Sequence, residues 1–589
     1  MERRSLMPAA LIGAAGIAAY FNSFSVPFLF DDFYHIVENP RIRSLLHPMQ
    51  ILTGTTRPLV SLSLAINYAL GGLSVWGYHA FNLAVHLLAG LTLFGVIRRT
   101  LLTERLRARC GDQSAELALA VSLLWVVHPL QTESVTYIIQ RGESLMGLFY
   151  LLTLYCVIRG WRGPAVLCCA LGMLAKPVML TAPLMAILYD RIFLSQSWAE
   201  LLRKRWKLYA GLAATWLILP PVLAGGVPEY RDRVGLHLQQ ISPAAYLLTQ
   251  PGVILHYLRL SFWPHPLILD THWPVVTGLR QAGLPAAAAG GLLAATLWAL
   301  RRRPEIGFLG AWVFGILAPT SSLLPIADIA FEHRMYLPLA AVLLLSLLGL
   351  QALLRRRRLL FCAVLFLLIP AAALATFHRN ELYRDPVAFW ADQIPHRPDN
   401  ARAHVNLGAA LQAAGRSPEA MEAFRKALSL QPDQADAHNN LATMFLLQND
   451  LGQAEFHYRE ALRLSPDLAM AHKGMGMLLQ KKGRLEEAAA EYIQALRLNP
   501  VFSDARVQLG LIRQTQGRPQ EAFEQYREAL KFNPREPAAY NNIGTLFFRQ
   551  GKWREAARFF ARALELNPDY AEARSNLQKT RLELNRAGK

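Results

Sequence analysis

Cysteine is scarce and acid is outnumbered by base. The 589-residue chain has five cysteines, and 42 acidic against 61 basic side chains. Cys110 falls in a basic stretch, while Cys156, Cys168, Cys169 and Cys362 fall inside apolar segments. None has the spacing of a zinc site, and no disulfide framework is expected. The net charge of +19 forms no patch of the kind that binds nucleic acid. Its clusters (Arg98-Arg99 with Arg105, Arg107 and Arg109; Arg203-Lys204-Arg205 with Lys207; Arg301 to Arg303; Arg355 to Arg358) sit between apolar segments. Short basic loops there set the orientation of membrane spans, so no nucleic-acid partner is expected. Long polar stretches are also missing before Phe377, and 53% of the chain is hydrophobic. That excludes a single soluble domain and implies repeated crossing of a lipid bilayer, each span needing about 20 apolar residues.

After Phe377 the character changes. Prolines 432, 466, 500, 534 and 568 recur every 34 residues, as do alanines 420, 454, 488, 522 and 556. The aromatics Phe424, Tyr458, Tyr492, Tyr526 and Phe560 keep the same step. Gly415, Gly483, Gly517 and Gly551 mark the turn inside each unit, with Asn449 in the remaining one. This is the tetratricopeptide period, in which paired helices stack into a solenoid. The fold class expected is therefore all-α: a polytopic membrane domain over 1–380, a half-repeat at 381–400 that stiffens the junction, five repeats over 401–569 and a closing helix at 570–589. The sixth position of each repeat reads Asn406, Asn440, Gly474, Gln508 and Asn542. Side-chain amides carry both donor and acceptor, so a row of them suits an extended peptide backbone. Ordinary packing between helices is the alternative reading.

Charge parity gives eleven spans: 6–28, 78–97, 116–134, 141–158, two short ones turning at Lys176-Pro177, then 207–225, 281–300, 306–325, 336–354 and 359–377. The apolar stretch 244–262 reads as re-entrant or interfacial, because a crossing there would put the Arg301 and Arg355 clusters outside. The first segment reads as a retained anchor rather than a cleaved signal, with the N-terminus cytoplasmic. Three groups of polar residues then face the same outer side as the repeats. They are the Asp31-Asp32 loop, the turn from His128 to Glu133, and the Glu332-His333-Arg334 loop.

Ionisable groups at the lip of a bilayer are functional candidates. An accessible carboxylate suits a general base, and the doublet Asp31-Asp32 offers two, of which either could stay ionised. A helix cap or a topological stop is the alternative. Arg141, Lys176 and Arg334, with His333, are cations placed for a phosphate, while His128, Glu133, Glu143 and Glu332 are candidates to support them. Asp31, Asp32 and His35 could together hold a divalent cation, but a metal is not favoured and no other cofactor is expected.

Several strings carry a resemblance. Phe30-Asp31-Asp32 with Asn39-Pro40, Arg57-Pro58-Leu59, Asn67-Tyr68-Ala69-Leu70-Gly71-Gly72 and Gly77-Tyr78-His79 with Asn82 and His86 come first. His128-Pro129, Thr132-Glu133-Ser134 and Glu332-His333-Arg334-Met335-Tyr336-Leu337-Pro338 follow. With the repeats, this order resembles the transmembrane and tetratricopeptide-repeat (TMTC) protein O-mannosyltransferase family, over nearly the whole chain. Where that family often has a Gly-Arg-Ala-Asp-like string, this chain reads Gln140-Arg141-Gly142-Glu143, and Pro177 follows Lys176 where an acid is usual. The resemblance implies a GT-C type membrane enzyme that takes a mannose-like sugar from a polyprenyl-phosphate donor to Ser/Thr hydroxyls of proteins gripped by the repeats. Asp31 or Asp32 would be the base and Arg334 a donor-phosphate contact. Compact loops and the lack of recognisable eukaryotic sorting signals point to a bacterial inner membrane with periplasmic repeats. A Wzy-like ligase or oligosaccharyltransferase and a non-catalytic scaffold are the rival readings.

Overall fold

The computed structural model describes residues 3–43, 45–46, 48–53, 55–224, 241–322, 325–586 and 588. Position 225, the end of one expected span, lies outside them. The chain divides into one unit of residues 1–37 and 44–397 and a second of 38–43 and 398–589.

Each expected span of the first unit coincides with a helix, but not all are long enough to cross alone. Among the described residues six qualify by length and apolarity: Leu6–Ser25, Val75–Leu101, Ile138–Arg159, Trp198–Ala224, Leu279–Arg302 and Arg358–Arg384. A seventh arises if Glu104–Val126 and Pro129–Val135, bent by 56°, form one broken span. Arg162–Met173, Pro304–Thr320 and Pro338–Leu353 are shorter apolar helices. The 12 residues of Arg162–Met173 rise only about 18 Å, well short of a bilayer core of roughly 30 Å. Length therefore carries six or seven of the eleven expected crossings. Pro243–Phe262, expected to be re-entrant or interfacial, is a continuous 20-residue helix that is not among the six. An additional helix, Pro58–Gly71, stands in the first long loop.

Polar residues on these helices are tied across great sequence distances. Asn22 donates to the Phe377 carbonyl at 3.0 Å and to Glu381 at 2.8 Å. Asn380 donates to the Ala19 carbonyl at 3.0 Å and accepts from Thr136 at 2.6 Å. His86 bridges the Val126 carbonyl and the Tyr336 hydroxyl, both at 2.9 Å. Only an imidazole protonated at Nε2 satisfies both, since a carbonyl cannot donate. In an apolar medium each such bond removes a large desolvation cost, so they lock the first helix, the last helix and the 129–135 bend together.

In the second unit, ten helices from Ala401–Ala413 to Trp553–Leu566 form five antiparallel pairs, and Ala571–Arg586 follows them. The turns within pairs need a left-handed residue, and Gly415, Gly483, Gly517 and Gly551 have φ of 75°, 76°, 76° and 72°. Asn449 takes the same conformation at φ 61°, as asparagine does more readily than other non-glycine residues. The close approach inside four of the five pairs is set by glycine opposite the periodic aromatic, and Ala442 takes that place in the second. A Cβ on Gly408, Gly510 or Gly544 would come within 2.5, 2.5 and 2.7 Å of the Phe424, Tyr526 and Phe560 rings.

A further period lies in the polar bonds. Side chains at the fourth position of every repeat donate to the carbonyl of the proline six residues earlier. His404, His438 and His472 do so at 3.3, 3.1 and 2.9 Å. Arg506, Tyr540 and Arg574 do so at 3.3, 3.2 and 2.6 Å. The residue type varies while the bond persists, so each turn between repeats is closed by whichever donor can reach.

Candidate functional site

The acidic doublet follows the first span and begins with strained backbone. Phe30 has φ 47°, a left-handed conformation costing an aromatic residue on the order of 1–3 kcal/mol and common beside active sites. Its ring meets Trp390 edge-on at 5.8 Å. Asp32 holds the turn closed: one carboxylate oxygen accepts from the Leu29 amide at 3.1 Å, the other from the Ile139 amide at 2.8 Å. At 1% exposure it faces no solvent. Burial pushes its carboxyl up to about 8, opposed by those two amides. Asp31 differs. It is half-buried, and its amide donates to the Tyr137 hydroxyl at 2.9 Å. The two adjacent acids therefore have distinct surroundings, one a buried backbone clamp and the other half-buried.

Tyr137 links the doublet to the next cluster. Its phenol is pushed well up by burial and then by Asp31 and Asp32, and it also senses Glu133. Glu133 grips the Glu332–Met335 turn twice, accepting from the His333 amide at 2.8 Å and pairing with His333 Nδ1 at 2.6 Å. Phe331 stacks on the His333 ring at 5.0 Å. Burial lowers the His333 imidazole well below its ordinary range, and the charges of Lys176, Arg334 and Arg57 push it further. Three cations thus surround one buried histidine.

Lys176 forms an ion pair with Glu143. Arg334 donates to the carbonyls of Ile329 at 2.8 Å, Asp328 at 2.6 Å and Thr320 at 3.3 Å. The guanidinium of Arg57 has no hydrogen bond or ion pair among the described residues. It is placed by local structure: Pro58 starts a helix, the Leu59 amide bonds the Leu174 carbonyl at 3.0 Å, and Arg57 Nη1 lies 3.8 Å from where a Cβ on Gly142 would stand. Glu332 accepts from the Ile268 amide, and burial raises its carboxyl to about 7, with Arg379 opposing.

Expected site residues thus separate into groups. Asp31, Glu133, Glu143, Lys176, Glu332, His333 and Arg334 lie in this connected region. Arg141, expected to contact a donor phosphate, is fully buried and already donates to Asn67 at 2.6 Å, Ser63 at 3.3 Å and the Tyr78 carbonyl at 3.1 Å. Its guanidinium also packs on the Phe81 ring at 4.7 Å. It clamps the 58–82 segment, and its Nε is buried without a partner among the described residues. His128, expected as a supporting group, pairs with the Ser261 carbonyl at 3.2 Å and accepts from the Leu130 amide at 3.2 Å. That makes it the cap of the 129–131 turn. Among the described residues no three His, Cys, Asp or Glu side chains gather closely enough to hold a metal ion.

Sequence reading passed over Arg57 and Tyr137 as site residues. The signal for Arg57 was a charged residue directly before the helix-starting Pro58; Tyr137, between two apolar helices, carried none.

The amide row of the second unit lies on the first helix of each pair. Asn440 accepts from Asn439 at 3.1 Å, Asn542 from Asn541 at 3.3 Å and Gln508 from Gln480 at 3.1 Å. Asn406 Nδ2 is buried without a partner among the described residues. Gly474 is required by packing, since a Cβ would fall 2.3 Å from the Tyr458 ring.

Comparison with known proteins agrees with both halves. Residues 369–588 match the family model described as Cilia and flagella-associated protein 70 C-terminal domain. Protein O-mannosyl-transferase Tmtc3 of Drosophila melanogaster is 25% identical over 73% of this chain and 56% of its own length. Protein O-mannosyl-transferase TMTC2 of Homo sapiens is 31% identical over 31% of this chain and 24% of its own. The chain therefore spans about half the length of the first of these relatives and a quarter of the second. Among solved structures, the pilus biogenesis factor PilW aligns at 23% identity over 34% of this chain and 92% of that one, with a TM-score of 0.30. The tetratricopeptide protein YrrB aligns at 21% identity over 31% and 95%, with a TM-score of 0.26. Nothing rests on those low scores. Taken with the apolar helices and the 34-residue array, the sequence matches make the chain similar to the protein O-mannosyl-transferases of the TMTC name.

Proposed function

We propose that this protein is a membrane-embedded glycosyltransferase that moves a mannose-like sugar from a polyprenyl-phosphate carrier to Ser/Thr hydroxyls of proteins recruited by its repeats. The observation that carries the reading is the convergence of Lys176, Arg334 and Arg57 in their electrostatic effect on the buried His333, which Glu133 clamps, near the half-buried Asp31 whose amide meets Tyr137. Like charges gathered in a buried place repel and call for an anion, and guanidinium groups match phosphate oxygens.

In the reaction, Asp31 accepts the proton of the acceptor hydroxyl as its oxygen attacks the anomeric carbon. The bond from that carbon to the phosphate oxygen breaks, and the carrier phosphate leaves with the electron pair. Arg57 and Arg334 neutralise the charge it gains, so no second acid is needed. Arriving phosphate also offsets the cations that keep His333 neutral, favouring a protonated imidazole with Nδ1 on Glu133 and Nε2 as a donor. Asp32 shapes the turn that aims Asp31. In this reading the N-terminus is cytoplasmic, and the doublet and the repeats face outward.

The test is transfer by the purified chain in vesicles, given polyprenyl-phosphate mannose and a Ser/Thr-containing acceptor, with products read by mass spectrometry. Asp31→Asn should lower the rate by about 10²–10⁴ at an unchanged melting temperature. Wild-type rates in that variant would remove Asp31 as the base, and absence of transfer by the unaltered chain would leave the scaffold reading standing.

A further inference from the structure

A cavity lies away from the acidic doublet, toward the basic loops that the positive-inside rule places in the cytoplasm. Its volume is about 350 Å³, within the usual range for a small-ligand site. Leu93, Ile97, Leu154, Phe308, Trp312 and Leu344 are among its walls. The polar atoms of those walls are already occupied: Thr100 and Tyr189 bond each other at 2.7 Å, and the Trp312 indole donates to the Leu337 carbonyl at 3.0 Å. The interior therefore suits hydrocarbon and offers nothing to a polar ligand.

The lip is different. Arg109 and Arg303 line it together with Glu305, and Arg105 stands within 3.5 Å of the same glutamate. Arg109 reaches Glu305 only at 3.6 Å and remains 66% exposed. Three arginines against one carboxylate leave the mouth cationic, directly above an apolar hole. Basic pockets between membrane helices on that side attract anionic headgroups.

We propose that this cavity holds one acyl chain of an anionic phospholipid of the cytoplasmic leaflet, with its phosphate at Arg109 and Arg303. The chain would fill the gap between Val75–Leu101, Pro304–Leu317 and Pro338–Leu353, and so act as part of the packing of the first unit.

Delipidated full-length protein in detergent, offered phosphatidylglycerol or phosphatidylcholine of matched chains, tests this by native mass spectrometry. Wild type should retain phosphatidylglycerol preferentially, and R109Q and R303Q should each weaken that retention about fivefold, the worth of one basic side chain at an anionic surface. A341W, which narrows the hole, should remove both lipids. Equal retention of the two lipids, or an unchanged preference in the double variant R109Q/R303Q, would overturn the proposal. So would displacement of phosphatidylglycerol by polyprenyl phosphate, since that would make the cavity a donor site. The exposed arginines can change without disturbing the core, so the test holds even if A341W fails to fold.

Discussion

The two halves of the molecule satisfy their polar groups in opposite ways. In the repeats, each fourth-position side chain reaches a proline carbonyl six residues back, whether it is histidine, arginine or tyrosine. In the membrane region, Glu133 reaches 200 residues forward to His333, and Asn22 reaches 359 residues to Glu381. Local bonds can be renewed one repeat at a time, so residue identity drifts while the pattern stays. Long-range bonds in an apolar setting depend on both partners at once. Damage should therefore stay local in the repeats and spread in the membrane region.

The sharpest break of that contrast is Glu133→Gln. Its carboxylate holds the His333 amide and imidazole together, and an amide can accept from only one side. Leaving a buried donor unsatisfied costs about 1–3 kcal/mol, more for charged groups. The 332–335 turn should loosen, lowering both the melting temperature of the detergent-solubilised chain and any donor binding measured by calorimetry. An unchanged melting temperature would show that the clamp is not what orders the turn.

Asp32 extends the comparison to pH. Its carboxyl, and that of Glu332, lie in loops outside the spans and are raised by burial to about 8 and about 7. A carboxyl whose folded value exceeds its unfolded one takes up protons on folding. Its contribution is complete below about pH 4 and is lost as pH climbs through the folded value. The melting temperature should accordingly fall between pH 5 and pH 8. Asp32→Asn, which cannot titrate, should flatten that slope while lowering the temperature at every pH, because one of two backbone amides loses its acceptor. A slope identical to that of wild type would remove Asp32 from the account.

The same contrast decides what could be read from sequence. Repeats, turn glycines and the stand-in Asn449 were legible because the period exposes each role five times over. The membrane helices were legible as apolar runs, and the doublet as charge at a bilayer edge. The engagement of Arg141 was not legible because its partners, Ser63, Asn67 and Tyr78, lie more than 60 residues away on segments whose packing no local pattern reveals. The different surroundings of Asp31 and Asp32 were hidden for the same reason, since the Ile139 amide that fixes Asp32 is 107 residues distant. The eleven expected crossings exceed the six or seven that length alone supports among the described residues, because charge parity locates turns and does not weigh the length of a helix of 12 residues.

Within the repeats, Gly510→Ala should cost about 1–3 kcal/mol, because its Cβ would fall 2.5 Å from the Tyr526 ring and force that ring aside. Hydrogen exchange on the full chain should show lost protection over 503–532 and little change in the membrane region. Loss spreading into the first unit would contradict the idea that repeats fail locally.

The smallest expected effect is the most selective one. Tyr540→Phe deletes a partly exposed bond to the Pro534 carbonyl and leaves the ring in place. A net hydrogen bond contributes about 0.5–1.5 kcal/mol, and a solvent-accessible carbonyl recovers part of that from water, so roughly 0.5 kcal/mol is expected. In a stacked array, stability is a sum of repeat and nearest-neighbour terms. The loss should therefore register as faster exchange around 533–541 and leave the repeats before 500 untouched. Tyr540→Arg should restore the wild-type rate, since Arg506 and Arg574 already make this bond in neighbouring repeats. Failure of that rescue would mean that the ring of Tyr540, which lies 6.3 Å from Phe559, holds the turn and the hydroxyl does not.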